Sequence, residues 1–313
     1  MLGENMSLKL MYITNKPEIA RIAEAAGVDR IFVDMEYIGK EKRQHHMDTV
    51  QNHHSIEDVK RIRATVEKAE LLVRVNPIHE KTEEYSSSQE EIDAVIDAGA
   101  DVVMLPYFTT VEEVEQFVRM VGKRAKTLPL LESAKALELV DEILEIQGID
   151  EIFVGLNDLS LDLGKKFMFE LLPDGTVEEL CLKFKQKGIP YGFGGIASLG
   201  KGMLPSEYVI REHYRLGSTC AILSRSFCNT NQISQIDVVR DIFLNGIQDI
   251  REFEKACAKS RDYFEENMQE IARRVKMIVD DIGAKEMVFD EDFDNRSVAT
   301  GEELHKKNRT DGA

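Results

Sequence analysis

The sequence predicts a single (β/α)8 barrel, the TIM-barrel fold of the α/β class, with a C-terminal helical extension. Eight short β-rich segments alternate with helical segments along the 313 residues. Most of these segments are continuous apolar runs, which is typical of parallel strands covered by helices. Eight βα units in succession favour a closed barrel over an open doubly wound sheet, and no GxGxxG turn follows the first strand to indicate dinucleotide binding.

The strands and the helix ends are predicted from local patterns. The predicted strands are Leu8–Ile13, Arg30–Tyr37, Glu70–Asn76, Asp101–Tyr107, Thr127–Ser133, Glu151–Asn157, Ile189–Ala197 and Thr219–Phe227. A Ser or Thr followed three residues later by an acid predicts a reciprocal helix cap. These pairs are Ser55 with Asp58, Ser88 with Glu91, Thr110 with Glu113 and Thr176 with Glu179. Glycines that close the preceding helices are expected at Gly27, Gly99, Gly148, Gly188 and Gly217.

Three regions depart from the regular βα pattern. Insertions follow the second and third strands, at Ile38–His54 and Pro77–Ser87, on the side where barrel enzymes carry their chemistry. We therefore expect residues 1–232 to form the barrel, 233–285 a helical extension and 286–313 a flexible tail.

The extension contains an apolar seam that recurs every seven residues within a long helical region, Ile236–Ile282. Its members are Ile250, Cys257, Phe264, Ile271 and Ile278. A seam of this length needs a partner surface, which is either the chain's own barrel or another subunit. The second alternative predicts a homo-oligomer.

Composition excludes several kinds of partner. The formal net charge of -17 would repel nucleic acids and anionic membranes, so a small molecule is the expected partner. No apolar stretch approaches the roughly 20 residues needed to cross a bilayer, and the N-terminus lacks a signal-peptide apolar region, which predicts a cytoplasmic protein. The four cysteines have no CxxC spacing and are expected to be reduced and structural.

Charged residues gather at the carboxyl ends of four predicted strands, where a barrel places its active site. Any one of them could be a solvated strand end, but acids from three strands and an arginine from a fourth indicate a site. Glu132 and Asp158 follow adjacent strands and are predicted to hold Mg²⁺ or Mn²⁺, which prefer oxygen ligands. Such an ion can be chelated by a 2-oxo acid and stabilise its enolate, and Arg74 would add a positive donor. The backbone of the turn from Gly155 through Asn157 could hold the substrate carboxylate.

The same residues resemble the HpcH/HpaI aldolase and citrate lyase β-subunit family. The resemblance covers roughly residues 28–227 and is carried by motifs on several strands. They are Asp34-Met35-Glu36, Leu72-Val73-Arg74-Val75, Ile96-Asp97-Ala98-Gly99-Ala100, Leu105-Pro106, Glu132, Gly148-Ile149-Asp150-Glu151 and Phe153 through Ser160. The resemblance implies a metal-dependent class II aldolase or lyase acting through a pyruvate-type enolate. It also implies a trimer- or hexamer-type assembly that exchanges C-terminal helices.

The resemblance assigns roles to individual residues. It implies that Glu132 and Asp158 are metal ligands, that Arg74 stabilises the enolate and that Asp97 supports a catalytic base. Glu36 joins Gly155 and Asn157 as an expected substrate contact. The chain departs from the family where a histidine base is expected, because the position after Glu36 is Tyr37.

Tyr37 is therefore a candidate catalytic residue with a phenol that is a poor base at neutral pH. The first insertion offers His45, His46, His53 and His54 as substitutes, although each is also compatible with a solvated loop. Arg225, after the last strand, could bind a phosphate or carboxylate on the distal part of the substrate or be a surface residue.

Three functions remain open at this point. The leading one is cleavage or formation of a 4-hydroxy-2-oxo acid, or a related sugar acid, by an aldolase. The others are an acyl-CoA lyase of the citrate or malyl type and a non-catalytic barrel that binds a metal and a 2-oxo acid. The sequence shows no basic cluster placed for CoA phosphates.

Overall fold

The computed structural model describes residues 7–39 and 54–284, and these form a closed barrel of eight parallel strands in sequence order. The prediction of a (β/α)8 barrel is confirmed. The strands are β1 (Lys9–Ile13), β2 (Arg30–Asp34), β3 (Glu70–Arg74), β4 (Val102–Leu105), β5 (Lys126–Leu131), β6 (Ile152–Val154), β7 (Tyr191–Ile196) and β8 (Cys220–Leu223).

Helices cover the outside of the barrel between successive strands. They are α1 (Pro17–Ala26), α2 (Ile56–Arg63), α3 (Ser88–Asp97), α4 (Val111–Val121), α5 (Ala134–Glu138), α6 (Val140–Ile143), α7 (Leu156–Asp162), a 3-10 turn (Met168–Leu171), α8 (Thr176–Lys187), α9 (Ser206–Leu216) and α10 (Ile236–Lys259). A further helix, α11, covers residues 264–284. None of the helices that the structure describes is both long enough and apolar enough to span a membrane.

The strands are shorter than the apolar patterns predict because the polar residues at their carboxyl ends leave the sheet. Strand β2 ends at Asp34 rather than at Tyr37, and β6 ends at Val154 rather than at Asn157. The chain beyond these ends forms the mouth of the barrel. The polar residues of the mouth are therefore carried on loops and first helical turns that a rigid sheet positions.

Two of the four predicted helix caps are present. Ser55 with Asp58 and Thr110 with Glu113 form reciprocal caps. The predicted cap at Ser88 is wrong by one residue, because Ser87 and Glu90 cap α3. The prediction at Thr176 is also wrong. Thr176 is the first residue of α8, and the N-cap is Gly175, which has a φ of 88° and no capping side chain.

The barrel interior is built in layers by side chains at alternate strand positions, as expected for this fold. The lowest layer contains Arg30, which is fully buried. Its guanidinium donates to Glu151 at 2.5 and 2.7 Å and to Glu70 at 2.7 Å. Apolar side chains fill the layer above. They are Met11, Phe32, Leu72, Val102, Met104, Leu128, Leu130, Phe153 and Cys220. The polar residues at the carboxyl ends of the strands lie on the other side of this apolar layer and face the mouth.

The predicted helical region, Ile236–Ile282, consists of two helices. Helix α10 ends at Lys259, and α11 starts after a short turn. The seam residues Ile250, Cys257 and Ile271 are nevertheless buried within this chain. Asn267 of α11 donates to the Tyr208 carbonyl and to Glu212 of α9, at 3.1 and 2.9 Å. Much of the seam therefore packs on the chain's own barrel.

All four cysteines are buried free thiols, as predicted. The predicted tail at 286–313 and the candidate bases His45, His46 and His53 lie outside the described residues.

Candidate active site

A cavity of about 730 Å³ opens at the carboxyl ends of the strands. Most of the predicted site residues line it, namely Arg74, Glu132, Gly155, Asn157, Asp158 and Arg225. Asp34 and His54 also line it. The volume lies in the range of small-molecule sites, and the position is the one that (β/α)8 barrel enzymes use.

Arg74 is fixed at the mouth by two buried acids that follow or end β2. Its Nε and Nη2 atoms donate to the two carboxylate oxygens of Asp34, each at 2.8 Å. Its Nη1 lies 3.2 Å from Oε2 of Glu36. The side chains of both acids are only 1% exposed. A paired fork of this kind fixes the plane of the guanidinium as well as its position.

The charge state of Arg74 follows from these neighbours. Burial alone would lower the pKa of the guanidinium, but the negative charges of Asp34, Glu36 and Glu132 outweigh burial and hold the pKa well above its usual value. Arg74 is therefore a permanent cation, and Glu132 is close enough to contribute to its electrostatic environment. Glu36 is not among the described residues that line the cavity, so it acts on the site through Arg74.

Glu132 comes directly after β5 and is 4% exposed. Its Oε1 accepts a hydrogen bond of 3.0 Å from the backbone N–H of Tyr107. Tyr107 has a φ of 38°, a left-handed conformation that side chains other than glycine rarely adopt. On the other side, Gly155 leaves room for the carboxylate, because a Cβ atom there would lie 2.8 Å from Oε2 of Glu132. The local backbone is thus shaped around this one acid.

Asp158 lies in the first turn of α7, which begins at the end of β6. Its Oδ1 accepts a hydrogen bond of 3.0 Å from Nδ2 of Asn157. The turn is held from within, since Ser160 Oγ donates to the Asn157 carbonyl at 2.7 Å. Strands β5 and β6 pair directly, so Glu132 and Asp158 follow neighbouring strands and face one cavity.

Glu132 and Asp158 supply carboxylate oxygens of the kind that a divalent cation binds. Within residues 7–39 and 54–284, no group of three or more His, Cys, Asp or Glu side chains is arranged to hold a metal. Two carboxylates are nevertheless a sufficient protein contribution for Mg²⁺ or Mn²⁺, which keep several water molecules and accept oxygens from a substrate. The residues fit such an ion and do not fit a closed zinc site, which takes four nitrogen or sulfur ligands.

The structure argues against Tyr37 as the proton acceptor. Burial, together with the charges of Asp34 and other nearby acids, raises the pKa of its phenol to about 12. Tyr37 is also absent from the described residues that line the cavity. Its backbone N–H donates to Oδ1 of Asn76 at 2.8 Å, so its place is in the wall that supports Arg74 and Asp34.

His54 is the one histidine of the first insertion that the structure describes, and it lies at the cavity. It is 5% exposed, and its Nδ1 accepts a hydrogen bond of 2.9 Å from the backbone N–H of Asp34. A backbone amide is always the donor, so Nδ1 carries no hydrogen and the ring proton is on Nε2. His54 thus supports the residue that clamps Arg74, as a neutral imidazole.

Asp97 does not line the cavity of its own chain, and its role in supporting a catalytic base stays a prediction. It is the exposed last residue of α3, which leads into the start of β4. The barrel helices run antiparallel to the strands, so α3 ends at the face opposite the cavity.

Three supporting residues carry no simple signal in the sequence. Asp34 holds Arg74, and Asn76 accepts from the N–H groups of Tyr37 and Ile38. Tyr107 presents its N–H to Glu132. Alternation of Arg30, Phe32 and Asp34 along β2 indicates that Asp34 faces inward, but sequence reasoning did not pair it with Arg74.

The fold and the site together define a (β/α)8-barrel enzyme with a carboxylate and arginine pocket at its mouth. The family model for the HpcH/HpaI aldolase/citrate lyase family matches residues 9–170, which is more than half of the chain. The chain therefore belongs to this family, and the resemblance noted in the sequence is confirmed.

Solved structures of related proteins show the same fold at low sequence identity. An HpcH/HpaI aldolase from Desulfitobacterium hafniense is 17% identical with a TM-score of 0.55, over 75% of this chain and 93% of its own. An HpcH/HpaI aldolase/citrate lyase family protein from Burkholderia cenocepacia is 17% identical with a TM-score of 0.54, over 76% and 96%. The citrate synthase SbnG is 16% identical with a TM-score of 0.54, over 75% and 94%.

A short segment is more closely similar to a characterised enzyme. The hydroxypyruvate/pyruvate aldolase of Rhizorhabdus wittichii is 51% identical over 37 residues. The match spans 12% of this chain and 15% of that protein.

Proposed function

We propose that this protein is a metal-dependent carbon-carbon lyase of the class II aldolase type. It would cleave or form a 4-hydroxy-2-oxo acid, or a related sugar acid, through the enolate of pyruvate. The observation that carries this proposal is the convergence of Arg74, Glu132 and Asp158 on one cavity at the strand ends. Membership in the aldolase/citrate lyase family and the similarity to a pyruvate aldolase support it.

Glu132 and Asp158 would hold the divalent ion, Mg²⁺ or Mn²⁺. When bound, this ion supplies a Lewis acid for the carbonyl and carboxylate oxygens of the 2-oxo acid. The roles of the protein's own residues follow from their geometry.

Arg74 places a permanent positive charge where negative charge develops on the substrate oxygen. Asp34 and Glu36 fix the guanidinium before the substrate arrives, so little reorganisation is needed during the reaction. The buried surroundings of Arg74 and Glu132 exclude most water, which strengthens each electrostatic contact.

The turn after β6 would orient the substrate carboxylate. Gly155 brings backbone close to Glu132, and Asn157 supplies an amide next to Asp158. Backbone N–H groups at the start of α7 are suited to an anionic group.

The test is deuterium exchange into the methyl group of pyruvate. Purified protein with Mn²⁺ or Mg²⁺ should incorporate deuterium from heavy water, and Glu132→Gln should lower the rate by about 100-fold or more. The control is Glu67→Gln, which removes one negative charge from an exposed position outside the cavity and should leave the rate unchanged. Absence of exchange in the unmodified protein, with metal present, would overturn the proposal.

Methyl exchange together with an assay of carbon-carbon bond formation separates the alternatives. A citrate or malyl-CoA type lyase would require a CoA thioester for carbon-carbon bond formation, whereas an aldolase condenses pyruvate with a free aldehyde. A non-catalytic barrel would bind metal and pyruvate without exchanging methyl protons.

We also propose a homo-oligomer, a trimer or hexamer, in cytoplasmic solution. Exposed apolar side chains remain on the two C-terminal helices, including Val238, Leu244 and Met277. Light scattering of the purified protein would show a multiple of the monomer mass, and a strictly monomeric protein at micromolar concentration would contradict this.

A further inference from the structure

We infer that the cavity has a second binding site, for a terminal phosphate group on the aldehyde partner. The site is the β8–β1 rim, defined as Asn15, Lys16, Arg225, Asn229, Thr230 and Asn231, all of which line the cavity. The inference rests on the proposed function, because it names the class of aldehyde that the lyase would use.

The charges in the cavity are separated by position. Its acidic residues come from the ends of β2, β5 and β6, namely Asp34, Glu132 and Asp158. Of the cations that line the cavity, Arg74 is paired with two acids. The other two, Lys16 and Arg225, follow β1 and β8, which pair directly with each other. In an eight-stranded barrel β1 lies four strands from β5, so Lys16 is across the mouth from Glu132, and Arg225 after β8 lies two strands from Asp158 after β6. A substrate that spans the cavity therefore meets a metal site at one end and cations at the other.

Neither cation of the rim is neutralised by a carboxylate of the described chain. Lys16 Nζ donates to the carbonyl oxygen of Thr230 at 3.1 Å, a contact that holds the ammonium at the rim without cancelling its charge. Arg225 is exposed and makes no hydrogen bond or ion pair with any residue in 7–39 or 54–284. In a protein with a net charge of -17, two such cations facing one cavity indicate an anionic ligand.

The donor chemistry favours phosphate. A phosphate monoester carries up to two negative charges at neutral pH, which matches one ammonium and one guanidinium. The guanidinium fork can donate two parallel hydrogen bonds to phosphate oxygens. Amide groups of Asn229 and Asn231 and the hydroxyl of Thr230 would supply neutral donors at the same rim. The size of the cavity suits a short phosphorylated aldehyde together with pyruvate.

The test compares two aldehydes that differ only in the phosphate. With pyruvate and metal, D-glyceraldehyde 3-phosphate should condense with a higher kcat/KM than D-glyceraldehyde. Arg225→Gln and Lys16→Gln should each lower kcat/KM for the phosphorylated aldehyde by about 10- to 100-fold, the value of one charge-assisted hydrogen bond. Both variants should change kcat/KM for D-glyceraldehyde by less than about threefold.

A matched control removes the same charge elsewhere. Arg261 is exposed, lies in the turn between α10 and α11 and does not line the cavity. Arg261→Gln should leave both kcat/KM values unchanged. Pyruvate methyl exchange needs no aldehyde, so it should be unchanged in all three variants and shows that the metal site and fold are intact.

A binding measurement separates this inference from the proposed function. Calorimetry with glycerol 3-phosphate, which cannot react, should show binding that weakens about 10-fold or more in Arg225→Gln and Lys16→Gln but not in Arg261→Gln. That result supports the phosphate site even if pyruvate exchange fails in the unmodified protein. If exchange occurs but the two aldehydes react equally, the phosphate site is overturned while the lyase proposal stands.

Two further substrates test other anions. A clear preference for succinic semialdehyde over D-glyceraldehyde 3-phosphate would assign the rim to a carboxylate and overturn the phosphate assignment. Turnover of acetyl-CoA that depends on Arg225 would assign the rim to a CoA thioester. It would also overturn the inference that the rim binds the phosphate of a short aldehyde.

Discussion

At the residue scale, the contact between Gly155 and Glu132 sets where the carboxylate lies. A Cβ atom at position 155 would lie 2.8 Å from Oε2 of Glu132 and 2.9 Å from its Cβ. Neither distance is tolerated by non-bonded atoms, so any larger residue must displace the acid. This position is therefore constrained by the site and not by backbone conformation.

We predict that Gly155→Ala weakens Mn²⁺ binding and pyruvate exchange by about 10-fold or more, because Glu132 moves away from Asp158. Mn²⁺ binding can be followed by electron paramagnetic resonance. Gly283→Ala is the control, since a Cβ there would meet only Nζ of Lys166 at 3.5 Å. It should leave metal binding unchanged and slightly stabilise α11. Unaltered Mn²⁺ affinity in Gly155→Ala would contradict the predicted metal site.

His54 gives a second prediction at this scale. Because the Asp34 N–H donates to Nδ1, nitrogen NMR at neutral pH should show the tautomer with its proton on Nε2. His54→Ala removes the acceptor and should lower pyruvate exchange by loosening Asp34 and hence Arg74. A spectrum with the proton on Nδ1 would rule out the hydrogen bond. His79, outside the cavity lining, serves as an internal reference signal.

The sequence predicted the charged residues of the site but not the contacts between them. Arg74, Glu132 and Asp158 follow strands, and the barrel topology alone brings such residues to one mouth. The Asp34 clamp and the Tyr107 amide depend on side-chain direction and on a φ of 38°, which no local pattern specifies. Asp97 lies at the end of α3 and outside the cavity lining of its own chain, a placement that the motif match did not specify.

At the scale of elements, the loop of residues 77–87 after β3 is closed by His79. Its backbone N–H donates to Ser88 Oγ at 2.8 Å, and its ring nitrogens lie 2.7 Å from the Pro77 carbonyl and 2.8 Å from the Ser86 carbonyl. The ring therefore connects both ends of the loop. This loop leads into α3, whose Glu91 accepts from Asn76 at the wall of the site.

We predict that His79→Ala opens this loop, since the ring contacts at both ends are lost. Hydrogen exchange across residues 78–87 should become about 10-fold faster, which corresponds to roughly 1.4 kcal/mol of local stability. Exchange within β3 should not change. His54→Ala is a useful comparison, because it removes an imidazole without touching this loop. Equal protection of the loop in both variants would contradict the predicted role.

The element boundaries show where the predicted helical region, Ile236–Ile282, divides into two helices. Ile250, Cys257 and Ile271 keep their spacing and are buried, yet the chain turns after Lys259. At the turn, Ser260 Oγ accepts from the Asp262 N–H, and Tyr263 Oη donates to the Cys257 carbonyl at 3.1 Å. These side chains satisfy backbone groups that a continuous helix would use, and apolar spacing does not record them.

At the scale of the whole molecule, the buried ion pairs at the base of the barrel link stability to pH. Arg30 pairs with Glu151 and Glu70, and Lys126 also pairs with Glu70. Burial alone would raise the pKa of Glu70, but these cations outweigh it and lower the pKa to about 2. The stability from Glu70 is therefore fully present above its ordinary pKa of 4.5 and is lost as pH falls toward 2.

We predict that the free energy of unfolding declines as pH falls from about 5 to 2, with roughly 1 to 2 kcal/mol due to Glu70 after solvent screening. Glu70→Gln should be less stable at pH 7 and should lose less stability in acid. Glu67→Gln, an exposed acid with the same charge change, should keep the original pH dependence. Urea unfolding at several pH values measures this. Burial raises the pKa values of Glu91 and Glu212, so these two acids contribute to stability in the opposite sense. If the free energy of unfolding of Glu70→Gln depended on pH as it does in the unmodified protein, the role of Glu70 would be contradicted.

The buried ion pairs at the base of the barrel and the apolar layer above them restrict the path by which substrate enters and products leave. With Arg30 fully buried and large side chains packed over it, small molecules have no route along the barrel axis. The substrate must then arrive, and both products depart, by one opening. For the proposed cleavage, the aldehyde would leave first, because the cations of the β8–β1 rim that hold it, Lys16 and Arg225, are exposed. The pyruvate beside the largely buried Arg74 would leave last. Product-inhibition kinetics with pyruvate and the aldehyde would reveal such an order, and random release would refute it.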